Sequence, residues 1–93
     1  MTHAEEQLLA DIQALARAIR RDTELPVSYD ELMHRPEAGC AIDCRVHISA
    51  GGPMKTSWQG SSRPLRCQVT LEEMRDAMGR WLVEYRQQQE KVA

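Results

Sequence analysis

The last third of the chain carries apolar residues at the spacing of an amphipathic helix. Side chains three and four positions apart share one face of a helix. Thr70 and Glu73 have the spacing of a capping box, in which each side chain binds the backbone N–H of the other residue. We therefore predict a long helix over residues 70–92. Its apolar stripe consists of Leu71, Met74, Met78, Trp81 and Tyr85.

The N-terminus shows the same pattern. Thr2 and Glu5 repeat the capping-box spacing, and Pro26 follows the point near Asp22 where the periodicity ends. A first helix is therefore predicted over about residues 2–22. Its apolar stripe consists of Leu8, Ile12, Leu15 and Ile19.

Between the helices, apolar and polar residues alternate in three segments. Residues 40–49, 54–59 and 65–69 each show a period of two, which is typical of a strand with one buried face. Gly-containing turns at residues 50–53 and 60–62 separate them. The alternation predicts three short strands joined as an antiparallel meander.

A short segment between Pro26 and Pro36 precedes these strands. Ser28 and Glu31 again have the capping-box spacing, so we predict a small helix or turn over residues 28–34. The order is then helix, short helix, three strands and helix. We predict an α+β fold, a two-layer sandwich whose meander is covered on one face by the N-terminal and C-terminal helices.

Composition limits the class of protein. Ninety-three residues are enough for one small domain, residues 1–93, with one thin core. No apolar run has the length of about 20 residues that a membrane span requires, and the acidic N-terminus lacks a signal-peptide core. An odd number of cysteines, three, fits a reducing compartment. We expect a cytoplasmic protein without membrane contact.

Four residues could be metal ligands by type: Cys40, Cys44, His47 and Cys67. Strand geometry argues against such a site, because Cys40 and Cys44 would lie about 13 Å apart and His47 would point to the opposite face. We expect no metal and no cofactor, with Cys44 and Cys67 as buried thiols in the sheet core. No nucleophile–base pair or phosphate-binding loop is recognisable, so the sequence predicts a protein that is not an enzyme.

A basic segment offers one functional alternative. The predicted element order resembles that of double-stranded-RNA-binding domains, a family that places lysines at the start of its final helix to bind phosphates. Here that position reads TLEEMR, and Glu72 and Glu73 would repel phosphate. The net charge of −2 also disfavours nucleic-acid binding. We keep it as the alternative, with these candidate residues: Arg45, Lys55, Arg63 and Arg66.

The helices carry more apolar residues than one sheet face can cover. We predict that the surplus binds another protein, with homodimerisation as part of the same expectation. The expected function is that of a small regulatory or inhibitory protein that blocks a partner, in the manner of antiactivators and phage-encoded inhibitors. The candidate partner-binding residues are Leu9, Trp81, Leu82, Val83 and Tyr85.

Overall fold

The computed structural model of the chain describes residues 2–34, 41–49 and 56–92. Its three strands form one antiparallel sheet in the order β1-β2-β3; α1 packs against β1, and α2 against β3. This confirms the predicted α+β class with a meander covered by two helices. The elements are α1 (His3–Thr23), β1 (Val27–His34), β2 (Ala41–Ile48), β3 (Thr56–Ser61) and α2 (Leu71–Val92).

Both predicted helix starts are confirmed by their caps. The Glu5 N–H donates to Thr2 Oγ1 at 3.1 Å. The Glu73 N–H donates to Thr70 Oγ1 at 3.0 Å, and the Thr70 N–H donates back to Glu73 Oε1 at 3.3 Å, which completes a capping box. The end of α1 is set by Glu24, which takes the left-handed conformation with a φ of 59°.

The core lies between the helices and the sheet, and the buried face of each helix is wider than its predicted stripe. Leu9 and Leu82 are only 5 % and 4 % exposed. Their assignment to a partner-binding surface was wrong, because the two helices pack against each other as well as against the sheet and so bury a wider face. The buried cluster consists of Leu9, Ile12, Ala16, Ile19, Ile42, Cys44, Val46, Ile48, Leu71, Met74, Met78 and Leu82.

The two helices lie side by side and run in the same direction. Arg75 of α2 is 3.7 Å from Asp11 of α1, and Arg86 of α2 is 2.6 Å from Asp22 of α1. The acids and the arginines have equal spacing along their helices, which fixes the parallel orientation. The hydrogen bond from Arg86 also lowers the pKa of Asp22 below its usual value. Exposed ion pairs of this kind align elements more than they stabilise them.

The segment predicted as a short helix is a strand. Residues 28–34 belong to β1, which pairs with β2 along its whole length from Val27↔Ile48 to His34↔Ala41. The capping-box spacing of Ser28 and Glu31 was misleading, because neighbouring β2 offers backbone partners that a lone turn of helix lacks.

The predicted second and third strands also change. The strand expected at residues 54–59 is β3, and residues 54 and 55 lie outside the described residues. The strand expected at residues 65–69 is a turn: the Leu65 N–H donates to Gln68 Oε1 at 2.8 Å, and the Gln68 N–H donates to the Leu65 carbonyl at 2.9 Å. Those local bonds use the backbone groups that a ladder would need.

Candidate partner-binding surface

The sheet face opposite the helices carries a groove. Its walls are the outward side chains of the three strands and the segment of residues 62–69, which connects β3 to α2. The cavity volume is about 340 Å³. Among its lining residues are Leu32, Arg45, Gln59, Cys67 and Val69.

Hydrogen bonds hold both ends of the 62–69 segment against the sheet. At its start, the Ser62 N–H donates to the Ile42 carbonyl at 3.0 Å, and the Ile42 N–H donates to Ser62 Oγ at 2.9 Å. At its end, the Ser61 N–H donates to the Val69 carbonyl at 3.0 Å. The groove is therefore built by backbone contacts and does not depend on long side chains alone.

Exposed apolar side chains lie in the groove and on the segment that forms its wall. Leu32 is 64 % exposed, Leu65 71 % and Val69 41 %, and Leu32 and Val69 line the groove. The sequence analysis did not include these three among its partner-binding candidates, because it assigned Leu32 to a short helix and the other two to a buried strand face. One signal was present in the sequence. Counting every second residue from Ser28 to His34, all are polar except Leu32.

The basic residues of the nucleic-acid alternative do not form one unopposed patch in the described part of the chain. Arg45 lies on the outer face with its guanidinium 3.6 Å from Asp30. The Arg63 N–H donates to Ser61 Oγ at 3.2 Å within the connecting segment, where Arg66 is exposed. Lys55 lies outside the described residues. Nucleic-acid binding through these residues stays a prediction.

The predicted helical flank is largely occupied by contacts within the chain. Trp81 packs edge-on against Trp58, with ring centroids 5.6 Å apart, and stacks on Tyr85 at 5.4 Å with an interplanar angle of 9°. Trp81 and Tyr85 are half-buried as a result. Val83 is 52 % exposed, and it is the one predicted partner-binding residue that the structure leaves largely open.

A polar cluster lies at the contact of α1 with β1. The Tyr29 hydroxyl donates to Glu31 Oε1 at 2.5 Å, and Gln13 Nε2 lies 3.3 Å from the hydroxyl and 3.2 Å from the carboxylate. Burial and the bond to Glu31 raise the pKa of Tyr29 above its usual value. Burial likewise raises the pKa of the neighbouring Cys44 thiol to about 11. Both groups are therefore held protonated at neutral pH, so neither is an activated nucleophile.

The two described cysteines differ in accessibility. Cys44 is 1 % exposed, which confirms its predicted burial, whereas Cys67 is exposed on the 62–69 turn and its predicted burial was wrong. We expect a charged disulfide reagent at pH 8 to label Cys67 rapidly and Cys44 only after unfolding, since a pKa of about 11 leaves roughly a thousandth of that thiol ionised.

The measurement is the rate of thiol labelling by mass spectrometry, made in a Cys40→Ser background because Cys40 lies outside the described residues. A Cys67→Ser variant identifies the fast site. Labelling of Cys44 at the rate of Cys67 would contradict the face assignment.

Two other properties of residues 2–34, 41–49 and 56–92 bear on function, namely metal binding and membrane insertion. Within these ranges, no three His, Cys, Asp or Glu side chains are grouped closely enough to hold a metal ion. Neither described helix combines the length and hydrophobicity needed to cross a membrane. Comparison with protein-family models, with curated proteins and with solved structures found no match for this chain.

Proposed function

We propose that the protein is a small non-enzymatic protein-binding module, regulatory or inhibitory in role, that contacts its partner through the outer face of its sheet. One observation carries the proposal: Leu32, Leu65 and Val69 expose apolar surface at or beside one groove. Exposed apolar clusters rimmed by polar groups are typical of protein interfaces.

The charge of this face favours a protein over a nucleic acid. Arg45 is opposed by Asp30, and the whole chain carries a net charge of −2. A phosphate backbone needs an unopposed positive surface, whereas a protein interface uses an apolar centre with mixed charges at its rim. The alternative, a nucleic-acid accessory protein using Arg45, Lys55, Arg63 and Arg66, predicts binding that falls steeply with salt.

We also propose that the protein acts in the cytoplasm and that it can self-associate as a homodimer. The free thiols of Cys44 and Cys67 support a reducing compartment. Sedimentation of the purified protein measures self-association directly.

The test is a pair of charge substitutions on the outer face. We expect Leu32→Glu combined with Val69→Glu to weaken partner binding at least about tenfold, since burying one apolar side chain at an interface contributes roughly 1.5–3 kcal/mol. The measurement is quantitative capture from the native host, followed by affinity determination with the identified partner.

Val83→Glu is the matched control, because Val83 is similarly exposed but lies on α2. It should retain the partner, and circular dichroism should show all variants folded. Loss of the partner with Val83→Glu and its retention with the outer-face variant would reject this surface in favour of the helical flank.

A further inference from the structure

Strand β1 is at the edge of the sheet in the described part of the chain. The backbone N–H and C=O groups of every second residue of β1 point away from the sheet. The Ser49 N–H donates to the Pro26 carbonyl at 3.0 Å, one position beyond the Val27↔Ile48 pair. Hydrogen-bonded pairs alternate along an antiparallel ladder. The backbone groups of alternate residues therefore face away from β2, and no other described residue binds them; these residues are Val27, Tyr29, Glu31 and Met33.

A second groove, about 240 Å³ in volume, lies beside this edge under α1. Its apolar part is formed by Ala16 and Val27, and its rim by Arg17 and Arg20. These two arginines are exposed and are one helical turn apart. Neither has a carboxylate within 4.0 Å among the described residues, whereas the neighbouring Arg21 is bonded to Asp22 at 3.4 Å.

We propose that this edge receives an extended acidic segment of a partner protein as a fourth strand. The free N–H and C=O groups of β1 would pair with the backbone of the segment. Because strand side chains alternate between faces, one set would extend toward Arg17 and Arg20 and the other toward Leu32 on the outer face. Acidic residues at the positions that face Arg17 and Arg20, with apolar residues between them, fit both faces. The inference rests on the proposed protein-binding function and specifies its partner.

A second copy of β1 fits this edge poorly. If two copies of β1 pair antiparallel about a two-fold axis, and each side chain stays on its own face of the sheet, the axis must pass beside one residue. That residue then lies opposite the same residue of the other copy. The two longest such registers place Asp30 opposite Asp30 of the other copy, or Glu31 opposite Glu31. Like charges directly opposite each other destabilise a strand pair. The edge is therefore better suited to a different sequence.

A nucleic acid also fits less well than a peptide. A phosphate backbone following β1 would approach Asp30 and Glu31 as well as the arginines, and it would leave the outward N–H and C=O groups of β1 without regular partners. A peptide can place neutral or basic side chains beside those carboxylates and acidic ones beside Arg17 and Arg20.

The test uses an end-blocked fluorescent peptide in which valine alternates with polar residues: glutamate where these residues face Arg17 and Arg20, and threonine where they face Glu31. A matched peptide has glutamine in place of glutamate. Fluorescence anisotropy should show the glutamate peptide binding about tenfold more tightly. The Arg17→Ala, Arg20→Ala double variant should abolish that difference, and Arg21→Ala should preserve it. N-methylation of the alternate peptide residues whose N–H groups face β1 should abolish binding. N-methylation of the residues between them should not.

Several outcomes would overturn the inference. These are no peptide binding, equal affinity for the two peptides, insensitivity to N-methylation, or tighter arginine-dependent binding of a duplex RNA. The partner identified in the outer-face experiment distinguishes a failure of this inference from a failure of the proposed function. If the double arginine variant keeps that partner while Leu32→Glu with Val69→Glu loses it, the inference is wrong and the proposed function holds.

Discussion

Replacing Gly60 by alanine is expected to lower the free energy of unfolding by about 1–3 kcal/mol. A Cβ atom at this position would lie 2.9 Å from Met74 Cβ, 2.9 Å from the Thr70 carbonyl oxygen and 3.2 Å from Leu71 Cα. None of these atoms is the flexible end of a side chain, so the start of α2 would have to move away from β3. Urea denaturation followed by circular dichroism measures the change.

Gly79 provides the matched control. A Cβ atom there would meet nothing within 4 Å, so Gly79→Ala should raise the free energy of unfolding by about 0.5–1 kcal/mol through helix propensity alone. If Gly60→Ala proved as stable as the unmodified protein, the close packing of α2 on β3 would be contradicted.

Replacing Leu82 by glutamate is expected to unfold the protein or to destabilise it by at least about 4 kcal/mol. Leu82 is 4 % exposed within the core, so the substitution removes apolar packing and places a carboxylate where almost no solvent reaches it. Small domains are stable by only about 5–15 kcal/mol, so the loss would be between about a quarter and most of that stability. Thermal unfolding measured by circular dichroism checks the result.

The adjacent Val83 is the control, because it lies on the same helix as Leu82 but is exposed. Val83 is 52 % exposed, and Val83→Glu should change stability by no more than about 0.5 kcal/mol. A Leu82→Glu protein that remained folded with unchanged stability would place Leu82 on the surface and would restore its assignment to a partner-binding flank.

The helices and β2 could be predicted because their signals are local. Thr2 and Thr70 form the expected caps, and the alternation around Cys44 and Val46 gives the buried face of the central strand. The buried side of each helix could be predicted in part. The stripe residues that are buried as expected are Ile12, Ile19, Leu71, Met74 and Met78. The width of the buried side could not be predicted. Leu9 is more deeply buried than the predicted Leu8, because the helix–helix contact adds a second buried side that periodicity alone does not reveal.

Strand β1 was missed because its alternation is interrupted at two neighbouring residues. Glu31 falls on the helix-facing phase, where Tyr29 and Gln13 bind its carboxylate, and Leu32 falls on the outer phase. The bond from Gln13 to Glu31 joins residues 18 positions apart, and such a contact is not visible in the local pattern. The same two departures lie at the surfaces proposed to bind a partner, so the residues that obscured the strand are those that inform its function.

The parallel arrangement of α1 and α2 has a consequence for the order of folding. The pair Arg86–Asp22 joins residues 64 positions apart, whereas β1 and β2 meet across the short connection between His34 and Ala41. Loop-closure entropy makes the helix–helix contact costlier to form by about 2 kcal/mol, on the (3/2)RT ln n scaling with loop length. We therefore expect the meander to assemble first, from contacts of low sequence separation, and α1 to dock on α2 after it.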